Sequence, residues 1–387
     1  MGSRQTDIPF DLGVRAFRSR AGRPAADDPE RHDAVIVGGG QAGLATGYHL
    51  ARRGMDVLIL DENERVGDGW RAAWDSLRLF TPARYDGLPG MPFPGDPNAF
   101  PTRDEMAAYL HAYAERFRLP VRSGVAVDGL RRADGGGWSV TAGERRFEAP
   151  NVVVATGPHR LPSVPDVAAA IDPAIRQLHS SEYRNPGQLA PGPVLVVGAA
   201  HSGPDIALEA AAEHRTTLVG PYRGEIPFAI EGRAARVLVP VLWQVANHVL
   251  TVGTPAGRRV RPEVRAHGGP LIRVRARDLE RAGVVHLPAK VVGARDGLPL
   301  LADGRVVEAS TVVWCTGFRL DFGWIDPPIV GDDGYPRESR GVVPSAPGLY
   351  VVGLPFQRTF ASMLIGGVGS DAAYVAAQIA ARASAAA

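Results

Sequence analysis

The chain has 387 residues, enough to bury a large core and to form two domains. Its 43 basic and 41 acidic residues leave a formal charge of +2, too balanced for a dedicated nucleic-acid binder. The single cysteine, Cys315, excludes an internal disulfide and a redox dithiol, and points to a reducing, cytoplasmic compartment.

Residues 1–31 are polar and charged, without the apolar core of a signal peptide, and are expected to form a flexible tail. Ala34–Val37 reads as a strand, followed by a glycine turn and a helix to Arg53. A second strand, Asp56–Leu60, ends on Asp61. Residues 66–101 are dense in Pro and Gly, the composition of a long irregular segment that carries function. Thr102 followed by Glu105 predicts a capping box opening a helix to Phe117. Strands are expected at Gly124–Val127, Trp138–Thr141, Val152–Ala155, Val312–Cys315 and Leu349–Val352, and a C-terminal helix from about Gly369. The apolar stretch Val237–Val252 contains Pro240, Gln244, Asn247 and His248; it is too short and polar to span a bilayer and is expected as a buried helix.

Two glycine-rich strand–turn–helix segments carry most of the functional information. The first is Gly38-x-Gly40-x-x-Gly43 after a strand. The first glycine permits the turn, the second lets the backbone approach a pyrophosphate, and the third lets helix and strand pack closely. Asp61 stands 18 residues after Gly43, where a carboxylate accepts hydrogen bonds from an adenosine ribose and repels a 2′-phosphate; this site suits FAD or NAD. The second, Gly198-x-Ala200-x-x-Gly203, has a methyl group at its middle position. The position matching Asp61 falls near Pro221, no carboxylate occurs between Leu218 and Arg223, and Arg215 and Arg223 flank the strand, a pattern that favours NADPH. Two dinucleotides in one chain imply hydride transfer between them.

From Asp33 to Arg382 the chain resembles the class B flavoprotein monooxygenases: flavin-containing, YUCCA-type, Baeyer–Villiger and N-hydroxylating enzymes. It is most similar to bacterial proteins labelled as flavoproteins involved in potassium transport. The resemblance rests on Asp61 through Gly67-Asp-Gly-Trp70-Arg71, on Leu77-Arg-Leu-Phe-Thr81-Pro82 with Leu88-Pro-Gly-Met-Pro-Phe-Pro94, and on the linker motifs Ala155-Thr156-Gly157 and Cys315-Thr316-Gly317-Phe318. His179-Ser180 with Tyr183 and Pro186 resembles the tail of the family's identifying motif, although Pro173 and Ile175 stand where that motif has Phe and Gly. Tyr183 in place of Trp tilts the reading away from Baeyer–Villiger enzymes. His179 is read as a linker residue, and His159 and His201 as loop and turn residues.

The resemblance implies an α/β fold of two dinucleotide-binding, Rossmann-like domains, an NADPH domain (161–308) inserted into an FAD domain (32–160 and 309–387). It implies cofactor contacts at Gly38, Gly40, Gln41, Ala42, Gly43, Asp61, Glu62, Trp70, Arg71, Thr81, Val125, Ala155, Thr156, Gly157, Gly198, His201, Ser202, Gly203, Arg223, Thr316, Gly317 and Leu364. The implied reaction is NADPH-driven insertion of one oxygen atom from O2 into a small molecule, by N- or S-oxygenation or hydroxylation, through a C4a-hydroperoxyflavin. Residues 77–94 and 237–252 are the expected pocket walls, and no single catalytic side chain is singled out. The alternatives are an NADPH-dependent flavin oxidase or reductase making H2O2, a Baeyer–Villiger oxygenation of a ketone, and, from another class, a regulatory flavoprotein subunit of an ion transporter. The oligomeric state is left open.

Overall fold

Strands buried on both faces must be apolar throughout, and the chain's AVIV, VLIL, NVVV, VLVV and TVVW runs become the interior strands of two parallel sheets. The structure, a computed structural model, describes residues 28–386. In chain order the first unit supplies β1 (Glu30–Arg31), β2 (Ala34–Val37), α1 (Gln41–Ala51), β3 (Val57–Leu60), α2 (Asp68–Arg71), α3 (Arg103–Arg116), β4 (Val121–Arg122), β5 (Gly129–Arg132), β6 (Trp138–Ala142), β7 (Arg145–Ala149) and β8 (Asn151–Val154). After β9 (Leu161–Pro162) come β10 (Arg176–His179), β11 (Val194–Val197), α4 (Ser202–Ala210), β12 (Thr216–Val219), α5 (Ala235–Gln244), α6 (Pro255–Ala266), α7 (Ala276–Arg281) and β13 (Val285–Leu287). A hairpin of β14 (Val291–Arg295) and β15 (Leu298–Leu301) precedes β16 (Thr311–Trp314), β17 (Phe318–Arg319), β18 (Leu349–Val351) and α8 (Ile365–Ala386).

The first parallel sheet has the order β18-β8-β2-β3-β4, and the second β10-β16-β11-β12-β13. The second is inserted in sequence between β8 and β18 of the first, so the fold is a pair of Rossmann-like units in one chain. Alternation along β2 divides the first unit's core. Ala34 and Ile36 face α1, α3 and α8, whereas Val35 and Val37 face the antiparallel layer of β5, β6 and β7. The capping box forms as expected: Thr102 Oγ1 accepts from Glu105 N, and Glu105 Oε2 accepts from Thr102 N at 2.8 Å.

Several expectations are corrected. Glu30 and Arg31, inside the expected tail, form β1 beside β7, and Glu30 is held by both guanidinium nitrogens of Arg122 at 2.6 and 2.8 Å; residues 1–27 lie outside the described residues. Gly124–Val127 is not a strand. Gly124 has φ +68° and Val125 N donates to Asp61 O, so this segment wraps the end of β3 as a loop. The C-terminal helix starts four residues earlier than Gly369. Gly366 and Gly367 are not helix breakers there but close contacts: a Cβ on either would lie 2.2 Å from Tyr85 O or 1.9 Å from Ala361 O. The apolar stretch after Arg236 is helical but much of it faces solvent.

Candidate functional site

The site grows from the C-terminal edge of β2. Gly38 has φ +110°, and a Cβ there would lie 2.4 Å from Ala155 O, so only glycine turns the chain here. A Cβ on Gly43 would lie 1.8 Å from Gly38 O; the helix therefore packs directly on its own turn. Gly40 differs. Its φ of −76° and ψ of −172° are open to any residue, and a Cβ there would meet nothing within 4 Å. Gly40 faces free space at the N-terminus of α1, whose first N–H groups have no side-chain cap. An uncapped, positively polarised helix end behind an empty cradle fits a pyrophosphate.

Asp61 closes one side of this cradle. It is buried, its Oδ2 accepts from Gly39 N at 2.5 Å, and its Oδ1 accepts from Asn63 N and Nδ2 at 2.8 and 2.7 Å. The carboxylate is thereby fixed in orientation, with both sites of Oδ1 taken and one lone pair of Oδ2 left for a ribose hydroxyl. Gln41 and Ala42 open α1, and Ala42 packs against Gly353. Glu62 is exposed and sits 3.5 Å from Arg160, which also reaches Asp321 at 3.3 Å. Val125 is buried beside Asp61 with its N–H bound there. Trp70 and Arg71 lie on α2; Arg71 Nη1 donates to Asp68 Oδ1 at 2.8 Å and Val66 O at 3.1 Å. Thr81 donates to Asp86 Oδ1 at 2.5 Å, and Asp86 is fully buried, with burial pushing its carboxyl up to about 7. Leu364 immediately precedes the first residue of α8.

The second turn repeats the construction. Gly198 has φ +111° and a Cβ there would lie 2.2 Å from Cys315 O; a Cβ on Gly203 would lie 1.7 Å from Gly198 O. Cys315-Thr316-Gly317 thus stands to this turn as Ala155-Thr156-Gly157 stands to the first, with Gly157 and Gly317 at φ +69° and +79°. The ladders correspond as well. Val37 pairs with Leu60 and Val197 with Val219, so the residue in the place of Asp61 is Gly220, one position before the expected Pro221. Arg223, three residues on, is exposed and forms no ion pair among the described residues. Arg215 is a correction: it precedes β12, at the opposite edge of the sheet, where it pairs with Glu308 at 2.8 Å. His201 stands at the N-cap position of α4 without a side-chain capping bond, and Ser202 begins the helix.

Sequence reasoning missed what covers the second turn. The Gly268–Gly269 segment passes over it, where added Cβ atoms would meet Ala200 Cβ at 2.4 Å and His201 Nε2 at 2.6 Å. Phe80 packs at a tilt against His201, 5.1 Å between ring centroids. Tyr85, four residues after Thr81, stacks on Trp243 of α5 at 4.6 Å. These contacts join residues distant in the chain, and no spacing signals them. His179 is a linker residue. Its Nε2 donates to Gly317 O at 3.0 Å and its Nδ1 accepts from Ser181 N and Oγ at 3.2 and 2.8 Å, so both nitrogens are occupied. Tyr183 is fully buried and donates to Glu209 Oε2 at 2.9 Å. Among the described residues no helix is long and apolar enough to cross a membrane.

A family model described as pyridine nucleotide-disulphide oxidoreductase matches residues 35–229. The chain is 37% identical over 345 residues to a CzcO-like oxidoreductase of Geobacillus kaustophilus, covering 89% of this chain and 97% of that one. It is 31% identical over 382 residues to the indole-3-pyruvate monooxygenase YUCCA1 of Oryza sativa subsp. japonica, covering 89% and 91%. Among solved structures, the flavin-containing monooxygenase from Stenotrophomonas maltophilia aligns with a TM-score of 0.74 at 27% identity, over 92% of this chain and 99% of that chain.

Proposed function

The chain belongs to the class B flavoprotein monooxygenases, NAD(P)H-dependent flavoenzymes, and from that premise we propose that it inserts one oxygen atom of O2 into a small molecule at nitrogen or sulfur. The observation that carries this reading is the repetition of one glycine construction on two parallel sheets, Gly38 against Ala155 and Gly198 against Cys315, in a chain with a single cysteine. Two dinucleotides with no dithiol between them fit O2 as the electron acceptor. When bound, FAD takes a hydride from NADPH and activates O2; the protein's part is to hold, orient and keep dry.

The residues divide that work. The uncapped N-terminus of α1 holds the FAD pyrophosphate, and Asp61, locked by Gly39 and Asn63, takes the adenosine ribose. The N-terminus of α4 holds the NADPH pyrophosphate, with Gly268–Gly269 folding over it. Gly220 removes the acid that would repel a 2′-phosphate, and Arg223 supplies a guanidinium for it. Thr156, Thr316 and their glycines carry the chain between the two sites. The loop from Leu77 to Pro94, with Phe80 on His201 and Tyr85 on Trp243, excludes water from the space between the cofactors.

The test is a panel of amines, sulfides and ketones assayed for NADPH consumption together with product formed from isotope-labelled O2. The expected result is consumption coupled to a labelled N- or S-oxide. Release of H2O2 in step with NADPH, whatever compound is present, would replace this reading with that of an oxidase. A labelled ester from a ketone would replace it with Baeyer–Villiger chemistry.

A further inference from the structure

α5 and the π-turn Val245–Val249 that extends it present aliphatic residues to solvent as well as to the core. Ala235, Val239 and Ala246 are the residues that face inward. Val237, Leu238, Val241, Leu242 and Val249 face solvent, Val237 at 69% exposure and Val241 at 56%. A helix on a folded domain normally turns such a stripe to the core.

The charge around this stripe is as one-sided as its hydrophobicity. Residues 231–263 contain five arginines against two glutamates, Glu231 and Glu263 at the outer limits, in a chain whose overall charge is only +2. Arg261 is turned inward onto Glu338 at 3.2 Å. Arg233 and Arg236 precede the stripe, Arg258 and Arg259 follow it, and all four are exposed and form no ion pair among the described residues. Arg258 is fixed near the end of the stripe: its Nη1 donates to Gly253 O at 3.0 Å, and Thr254 Oγ1 donates to Val249 O at 2.5 Å. Aliphatic residues bracketed at both ends by guanidinium groups without an ion pair are the pattern of a helix lying in a membrane interface.

We propose that this face docks reversibly on an anionic lipid bilayer. The aliphatic side chains enter the headgroup boundary while the four arginines meet lipid phosphates. Lipid is favoured over a protein partner because the stripe is aliphatic and lacks exposed aromatic anchors. Nucleic acid would use the arginines but leave the valines and leucines unexplained.

Co-sedimentation of the flavin-loaded protein with vesicles tests this. Vesicles of phosphatidylcholine with phosphatidylglycerol should retain it, whereas phosphatidylcholine alone should not, and high salt should release it. Replacing Arg233→Ser with Arg236→Ser should weaken retention about 25-fold, at roughly fivefold per arginine. Val237→Ser with Val241→Ser should weaken it at least ~10-fold even at low salt, because the apolar contact is lost. Both positions are exposed, so the flavin spectrum and melting temperature should not change. Arg131→Ser with Arg145→Ser, exposed residues of the antiparallel layer, should leave retention unchanged. Equal retention on both vesicle types, no retention, or full retention of the valine variant would overturn the proposal. So would a dimer in solution that Val237→Ser with Val241→Ser dissolves, since a second copy would then be the occupant.

Discussion

Two glycines of one turn, three residues apart, should fail in opposite ways. Gly40→Val places a branched side chain where the fold has no atom within 4 Å and where φ and ψ suit any residue. The cost to the folded protein is that of a poor N-cap, about 1 kcal/mol. The same side chain occupies the cradle at the α1 N-terminus. If it displaces two charge-assisted phosphate contacts of about 1.5–3 kcal/mol each, FAD affinity falls by roughly two to four orders of magnitude. Gly43→Ala does the reverse: its methyl would lie 1.8 Å from Gly38 O, so turn and helix must separate, at a cost of about 1–3 kcal/mol or more before any ligand is added. The assay is flavin titration of deflavinated protein by calorimetry, alongside thermal melts of the flavin-free forms. Flavin-free melts are needed because bound FAD raises the melting temperature by mass action. Wild-type FAD affinity in Gly40→Val, or an unchanged melt in Gly43→Ala, would refute the geometry assigned to this turn.

At the second turn, Arg223→Ala should narrow the NADPH/NADH preference by roughly 10–100-fold, the worth of one charge-assisted phosphate contact. Steady-state kcat/KM with each cofactor checks this. Asp86 gives a pH dependence. Burial raises its carboxyl to about 7, so in the folded state it keeps a proton that the unfolded chain loses near 4. Stability should therefore fall as pH rises from about 4 to about 7, and Asp86→Asn should flatten that slope, with a gain of up to about 4 kcal/mol above pH 7. Denaturant titrations of the flavin-free protein across this range measure it, and an unchanged slope in the variant would reject the assignment.

What the sequence could reveal was local. Gly38, Gly40 and Gly43 announce a turn because a strand, a tight bend and a helix follow within a few residues, and Thr102 with Glu105 announces a helix start for the same reason. The C-terminal helix was expected from about Gly369 rather than Ile365 because glycine signals both a helix end and a close approach, and only the positions of Ala361 and Tyr85 show that Gly366 and Gly367 are close approaches. Arg215 was misplaced because sequence proximity to a strand does not say which edge of the sheet a residue occupies. The apolar run from Val237 could not reveal its orientation, since a helix apolar on most of its surface carries no preferred inward side. Phe80 on His201 and Gly268 over Ala200 had no sequence signal at all, being products of how the two sheets are brought together.

The way the sheets are joined also sets how they can move. The two connecting segments are not separate tethers. β9 and β17 pair antiparallel, Ser163 N donates to Gly317 O at 2.9 Å, and Thr316 Oγ1 donates to Ser163 O at 2.5 Å. A paired ribbon cannot stretch or slide without breaking rungs, but it twists at little cost. At this joint twisting therefore costs less than stretching. During a catalytic cycle such a joint would let one nucleotide be re-aimed against the other while the distance between their sheets stays nearly constant.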